Sequence, residues 1–133
     1  MQAARKKNYS ETFVKRDEHR IYVRQYAGEG PAIVLMHGFP DNLHLYDRLI
    51  RYLSPRRLVT FDFLGWGKSD KPADYAYTTN NQGLEIDAVI KQRKLGKVVL
   101  VAHDASGPPA IDWALDNSDQ VAALVLLDRK SVV

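Results

Sequence analysis

The sequence predicts an α/β fold, with a mostly parallel sheet led in by an antiparallel hairpin. Three observations predict it. From Ala32 onward, short runs rich in β-branched residues alternate with helix-patterned segments, the order expected of strands joined by crossover helices. The runs 32–36 (AIVLM) and 98–102 (VVLVA) are continuously apolar, as parallel strands covered on both faces must be. Ahead of them stand two alternating segments separated by a short polar turn.

Each element has its own signal. Residues 12–16 and 20–26 alternate, and Asp17, Glu18 and His19 between them complete a hairpin. Gly28, Glu29, Gly30 and Pro31 read as a turn before the strand 32–36. Residues 43–53 place apolar side chains at helical spacing, with Asp41 or Asn42 as the N-cap. Residues 57–61 form the next strand. Residues 79–95 read as a helix in spite of Gly83, a weak helix former. The strand 98–102 leads into a helix over 109–115, with Pro108 and Pro109 in its first turn, where a missing N–H breaks no helical bond. Residues 121–127 read as a last buried strand. There is no internal repeat and no low-complexity segment.

Composition excludes several function classes. At 133 residues the chain is one domain or a piece of one. With 45% hydrophobic and 26% charged residues, it has the make-up of an ordinary globular domain. The net charge of +3 owes much to Arg5, Lys6, Lys7, Arg129 and Lys130 near the two ends, and no basic stripe interleaves with aromatics, so nucleic acid is not an expected partner. The absence of cysteine removes disulfides, thiolate metal sites and a thiol nucleophile. No apolar run reaches the roughly 18 residues of a membrane span, and the N-terminus has no signal-peptide pattern, so no membrane partner and a cytoplasmic location are expected. Nothing points to a metal or other cofactor.

In parallel sheets the working residues lie beyond the carboxyl ends of the strands. Three strand ends carry unusual sequence: His37-Gly38-Phe39-Pro40, the loop from Asp62 to Asp70, and 102–106 (AHDAS). In the last, an apolar strand ends at a small residue, an acid follows two positions later, and a second small residue follows two beyond that. Such a tight strand-to-helix turn brings Ala102 and Ser106 together, so both must be small, and it lifts Asp104 out of the sheet edge. The free N–H groups opening the next helix favour an anion there. A carboxylate in this position attacks carbon and forms an ester. Ser106 is the alternative nucleophile, but its neighbours two positions away, Asp104 and Pro108, suit such a turn poorly. Gly65 and Gly67 lack the third glycine of a dinucleotide fingerprint and the spacing of a P-loop, so they read as a structural turn, with Asp62 bonding inside it.

These three motifs, in this order and spacing, resemble the N-terminal part of the α/β-hydrolase fold over roughly residues 10–127. Within that fold the chain resembles the aspartate-nucleophile branch of haloalkane dehalogenases, fluoroacetate dehalogenases and soluble epoxide hydrolases. The resemblance implies Asp104 as nucleophile, and the backbone N–H groups of Phe39 and Ala105 as the oxyanion hole. It implies hydrolysis of a carbon–halogen or epoxide bond through an alkyl-enzyme ester, with a small apolar organic substrate and water as partners. Many dehalogenases and epoxide hydrolases carry tryptophan where this chain has Ala105. One branch carries asparagine at Phe39, and fluoroacetate dehalogenases carry arginine after the nucleophile. The choice between halide and epoxide therefore stays open.

The family's water-activating histidine comes late in the chain, after a cap domain, and none of His19, His37, His44 or His103 stands at that place in sequence. The expectation is a core truncated after the sixth strand, with residues 1–127 native, the cap and C-terminal part absent, and turnover lost. In one dehalogenase branch the sixth strand ends at the triad acid, which makes Asp128 a candidate for that role. Against this, 128–133 (DRKSVV) matches one reading frame of a common sequencing adapter, and so reads as a non-native tail. Two other functions compete with the aspartate hydrolase: a serine-type esterase using Ser106, and a non-catalytic binding protein on the same fold.

Overall fold

The structure is a computed structural model that describes residues 8–127. Ser10–Arg16 (β1) and His19–Tyr26 (β2) pair antiparallel along their whole length, from Ser10 opposite Gln25 to Arg16 opposite His19. Asp17 makes the turn with φ +56°, a conformation that Asp adopts more readily than most residues. Glu29–Met36 (β3) and Arg56–Phe61 (β4) pair parallel, and β2 joins the outer side of β4 antiparallel. Val98–His103 (β5) lies on the other side of β3, and Val121–Leu127 (β6) beside β5, both parallel. The sheet order is β1-β2-β4-β3-β5-β6. The predicted mixed architecture is the observed one.

Local chemistry moves several boundaries. The turn predicted over 28–31 is shorter, because β3 already begins at Glu29, whose N–H donates to the Pro55 carbonyl at 2.9 Å. The register with β4 shifts between Glu29 and Ile33, and Gly30 absorbs the irregularity at φ +80°. Residues 43–53 do not form one helix. Asn42 accepts the His44 N–H and starts a 3-10 turn over Leu43–Tyr46, and the α-helix Asp47–Leu53 (α1) follows. The break lets Tyr46 turn inward and donate its hydroxyl to the Met36 carbonyl at 2.6 Å.

Thr79–Gln92 (α2) is capped by Thr78, which accepts the Asn81 N–H. It stops short of Leu95 because Lys94 turns left-handed at φ +52°. The Lys94 N–H then reaches the Lys91 carbonyl, and the Leu95 N–H the Ile90 carbonyl. Those two bonds make a Schellman stop, with buried Leu95 as its apolar seal. Gly107–Asp116 (α3) carries both prolines in its first turn, as expected.

Helices cover both faces of the sheet. On one face Val34, Met36, Phe61, Leu100 and Ala102 pack with Ile86, Val89 and Ile90 of α2 and Trp113 of α3. On the other, Leu35, Leu58 and Val101 pack with Tyr46 and Ile50. β6 departs from expectation, since none of its seven residues is buried and Leu126 is 52% exposed. It lies at the sheet edge, hydrogen-bonded to β5 alone among the described residues. An apolar run reports the composition of a strand, not its place in the sheet. Asp128 and the rest of 128–133 lie outside the described residues.

Candidate active site

Three neighbouring parallel strands, β4, β3 and β5, release their chains at the same edge of the sheet. The three motifs singled out in sequence are therefore neighbours in space. The imidazole of His37 ties two of them together. Its Nε2 accepts the Phe63 N–H at 3.0 Å, which assigns the proton to Nδ1, 2.8 Å from the Gly38 carbonyl oxygen. Burial holds His37 below the usual histidine range, against the opposing pull of the Gly38 carbonyl and the Asp62 and Asp41 charges. Both ring nitrogens are committed, so His37 serves as a strut.

The loop after β4 is organised by Asp62. Its carboxylate accepts the Leu43 N–H at 2.7 Å and the Lys68 N–H at 2.9 Å. A β-carbon on Gly67 would stand 2.1 Å from Asp62 Oδ2, and Gly67 has φ +54°. Glycine is thus required there by space and by conformation.

At the end of β5 the chain turns through the 3-10 segment Asp104–Ser106 into α3. Asp104 occupies the left-handed region at φ +51°, a strained conformation for a residue with a β-carbon. Ala102 and Ser106 are both buried on either side of the turn. Ser106 Oγ accepts the His103 N–H at 2.8 Å and lies 2.9 Å from the His103 carbonyl and 3.2 Å from the Met36 carbonyl. The hydroxyl staples the turn to itself and to the end of β3. A β-carbon on Gly38 would meet Asp104 Cβ at 2.8 Å, so the turn after β3 presses directly on the root of the Asp104 side chain.

A cavity of about 600 Å³ opens above these turns. Phe39 and Ala105 both line it. So do Phe63, Trp66 and Tyr77, which give it an aromatic wall. The Phe39 ring, 64% exposed, meets Trp66 edge-on at 5.1 Å. Asp104 lines a smaller neighbouring cleft of about 320 Å³ with Ala102, Gly107, Ile111 and Leu126, and Pro108 borders both spaces. Of the predicted site residues, the structure joins Phe39 and Ala105 on one cavity and places Asp104 in the neighbouring cleft, with Pro108 shared between the two, while Asp128 lies outside the described residues. The side chains of Trp66, in the glycine loop, Tyr77, after it, and Gln82, on α2, also line the cavity and carry no signal of this in sequence.

Of the remaining histidines, His19 and His44 stand apart from this arrangement, while His103 lies in it against Gly38. His44 pairs with Asp47 at 2.9 Å, and the His19 ring packs on Tyr75. His103 alternates with Ala102 along β5 and leaves Nδ1 buried without a partner. Among the described residues, no group of three or more His, Asp or Glu side chains could hold a metal ion, and no helix is long and apolar enough to cross a membrane.

A family model described as alpha/beta hydrolase fold matches residues 31–131. A haloalkane dehalogenase of Agrobacterium fabrum is 35% identical over 102 residues, covering 76% of this chain and 33% of the dehalogenase. A lipase of Mycobacterium tuberculosis, LipV, is 36% identical over 109 residues, covering 81% of this chain and 41% of the lipase. Among solved structures, an epoxide hydrolase from Vigna radiata superposes with a TM-score of 0.83 at 27% identity, over 94% of this chain and 41% of that one. The chain thus spans well under half the length of each of these proteins.

Proposed function

The chain belongs to the alpha/beta hydrolase fold family, and on that premise we propose that it forms the nucleophile-bearing core of an enzyme that cleaves a carbon–halogen or epoxide bond. Asp104 is the nucleophile in this reading. Its carboxylate attacks the substrate carbon, a C–O bond forms, and the halide leaves with its electron pair, or the epoxide oxygen leaves and takes up a proton. Water then attacks the ester carbonyl. The resulting oxyanion is held by the backbone N–H groups of Phe39 and Ala105 until the intermediate collapses, the product leaves as an alcohol that takes up a proton, and the Asp104 carboxylate is regenerated. Losing one such donor typically costs about 10²–10³ in rate.

The observation that carries the reading is Asp104 itself: an acid, held left-handed at the end of a central parallel strand, with its β-carbon against Gly38. Strain of this kind is kept where the surroundings over-determine it, and nucleophile turns are such places. The aromatic wall of Phe39, Phe63, Trp66 and Tyr77 suits a small apolar substrate. The similarity to a lipase raises acyl transfer by a serine, but the Ser106 hydroxyl is buried and engaged with backbone on every side.

Hydrolysis of the ester needs a base within reach of its water. His37 has both nitrogens in use, and His19 and His44 have partners elsewhere, which leaves His103, with its unpartnered Nδ1 close to Gly38, as the one histidine near the turn with a free ring nitrogen among the described residues. Asp104 is assigned the first step, ester formation. Intact-mass analysis after exposure to an alkyl halide or an epoxide tests this by asking whether a covalent adduct forms and on which residue.

A further inference from the structure

Glu85 lies on α2 with no solvent exposure, and the reaction sequence above does not use it. Both of its oxygens are taken by one stretch of chain. Oε1 accepts the Leu64 N–H at 2.8 Å, and Oε2 accepts the Tyr75 hydroxyl at 2.8 Å. Leu64 stands between Phe63 and Gly65-Trp66. Tyr75 meets the Tyr77 ring edge-on at 5.2 Å, and Tyr77 in turn lies against Gly65, 2.7 Å from where a β-carbon there would be. Phe63, Trp66 and Tyr77 are the wall of the large cavity.

One carboxylate on a helix thus holds both ends of the loop that walls the candidate site. We propose that Glu85 is the positioning residue of this wall: its charged carboxylate draws Leu64 and Tyr75 to α2 and so sets where Trp66 and Tyr77 stand over the cavity. The proposal holds whichever bond the enzyme cleaves.

Charge matters here because a hydrogen bond to an ionised group is roughly twice as strong as a neutral one. Burial makes that charge costly and raises Glu85 to about 7, opposed by the Leu64 and Tyr75 bonds and by the positive charge of Arg16. The groups facing Glu85 are Arg16 at the end of β1 and Tyr75 and Tyr77 of the loop. His19 of β2 reaches it only through the Tyr75 ring, and Asp74 acts on Tyr77. On α2 itself, Asp87 pairs with Lys91 and accepts from Trp113. A proton on Glu85 weakens the Leu64 bond and leaves the Tyr75 hydroxyl without an ionised acceptor. The wall relaxes as pH falls through about 7.

The test is a pH titration from 5 to 9 with two readouts. One is the Leu64 amide resonance in the wild-type chain. The other is Trp66 fluorescence in a Trp113→Phe background, with and without Glu85→Gln. Glutamine keeps an oxygen for the Leu64 N–H but carries no charge. Both signals should show one inflection near 7 in the wild-type residue's presence. With Glu85→Gln, Trp66 fluorescence should lose the inflection and stay at the acid-end value. A flat Leu64 amide in the wild type overturns the proposal, and that measurement needs no variant to fold. An inflection that survives Glu85→Gln also overturns it, because His19 or another group would then be moving the wall.

Discussion

Gly38 and Asp104 are in backbone-to-side-chain contact across the ends of β3 and β5: a β-carbon added to Gly38 would stand 2.8 Å from Asp104 Cβ and 2.7 Å from the His103 carbonyl oxygen. Neither neighbour is a flexible chain end. Gly38→Ala must push the two turns apart, at a cost of about 1–3 kcal/mol. A fall in melting temperature of roughly 5–15 °C should follow. An unchanged melt would mean that the two turns are not rigidly opposed.

Ser106 gives a prediction that separates a structural hydroxyl from a reactive one. Ser106→Ala leaves the half-buried His103 N–H without its acceptor and removes the link to the Met36 carbonyl. Urea unfolding should show a loss of about 1–3 kcal/mol. An acyl-transfer probe such as a fluorophosphonate should leave wild-type Ser106 unlabelled. Labelling at Ser106 with little change in stability on mutation would instead favour the serine esterase.

His37 predicts a pH dependence of stability. Its folded pKa is lowered by burial, so between the usual histidine value of about 6.5 and that lower value the unfolded chain binds more protons than the folded one. The His37 contribution is complete above pH 6.5 and is lost as pH falls toward the folded value, at up to about 1.4 kcal/mol per pH unit. Relative to His37→Gln, wild type should therefore lose its advantage in acid. Two stability profiles that stay parallel from pH 7.5 to 5 would contradict this.

The β6 edge predicts self-association. Val125 and Leu126 are 42% and 52% exposed on a strand with no proline and no charge. Such an edge offers unpaired backbone groups to another chain. Light scattering should show oligomers that Leu126→Lys reduces. A monodisperse monomer with a cooperative melt in the wild type would show that the edge is harmless.

The order of elements and the three turns around the site are legible in sequence because each rests on local chemistry. Apolar runs mark the strands, Pro108 and Pro109 mark a helix start, and Ala102 and Ser106 mark a turn that tolerates only small residues. Other features are set by distant partners and leave no local trace. Tyr46 breaks a helix pattern because a carbonyl on β3 is within its reach. Lys94 ends α2 in a conformation usually given to glycine. The exposure of β6 depends on what stands beside it. Glu85 looks like an ordinary helix residue until the loop from Leu64 to Tyr75 folds onto it.

The most direct measurement concerns Asp104. The wild-type chain is incubated with an alkyl iodide or a styrene-type epoxide, and the intact mass and peptide map are recorded. A nucleophilic Asp104 predicts one adduct, mapped to Asp104 and absent in Asp104→Asn. No adduct with either reagent, or an adduct that persists unchanged in Asp104→Asn, would contradict the assignment of Asp104 as the nucleophile.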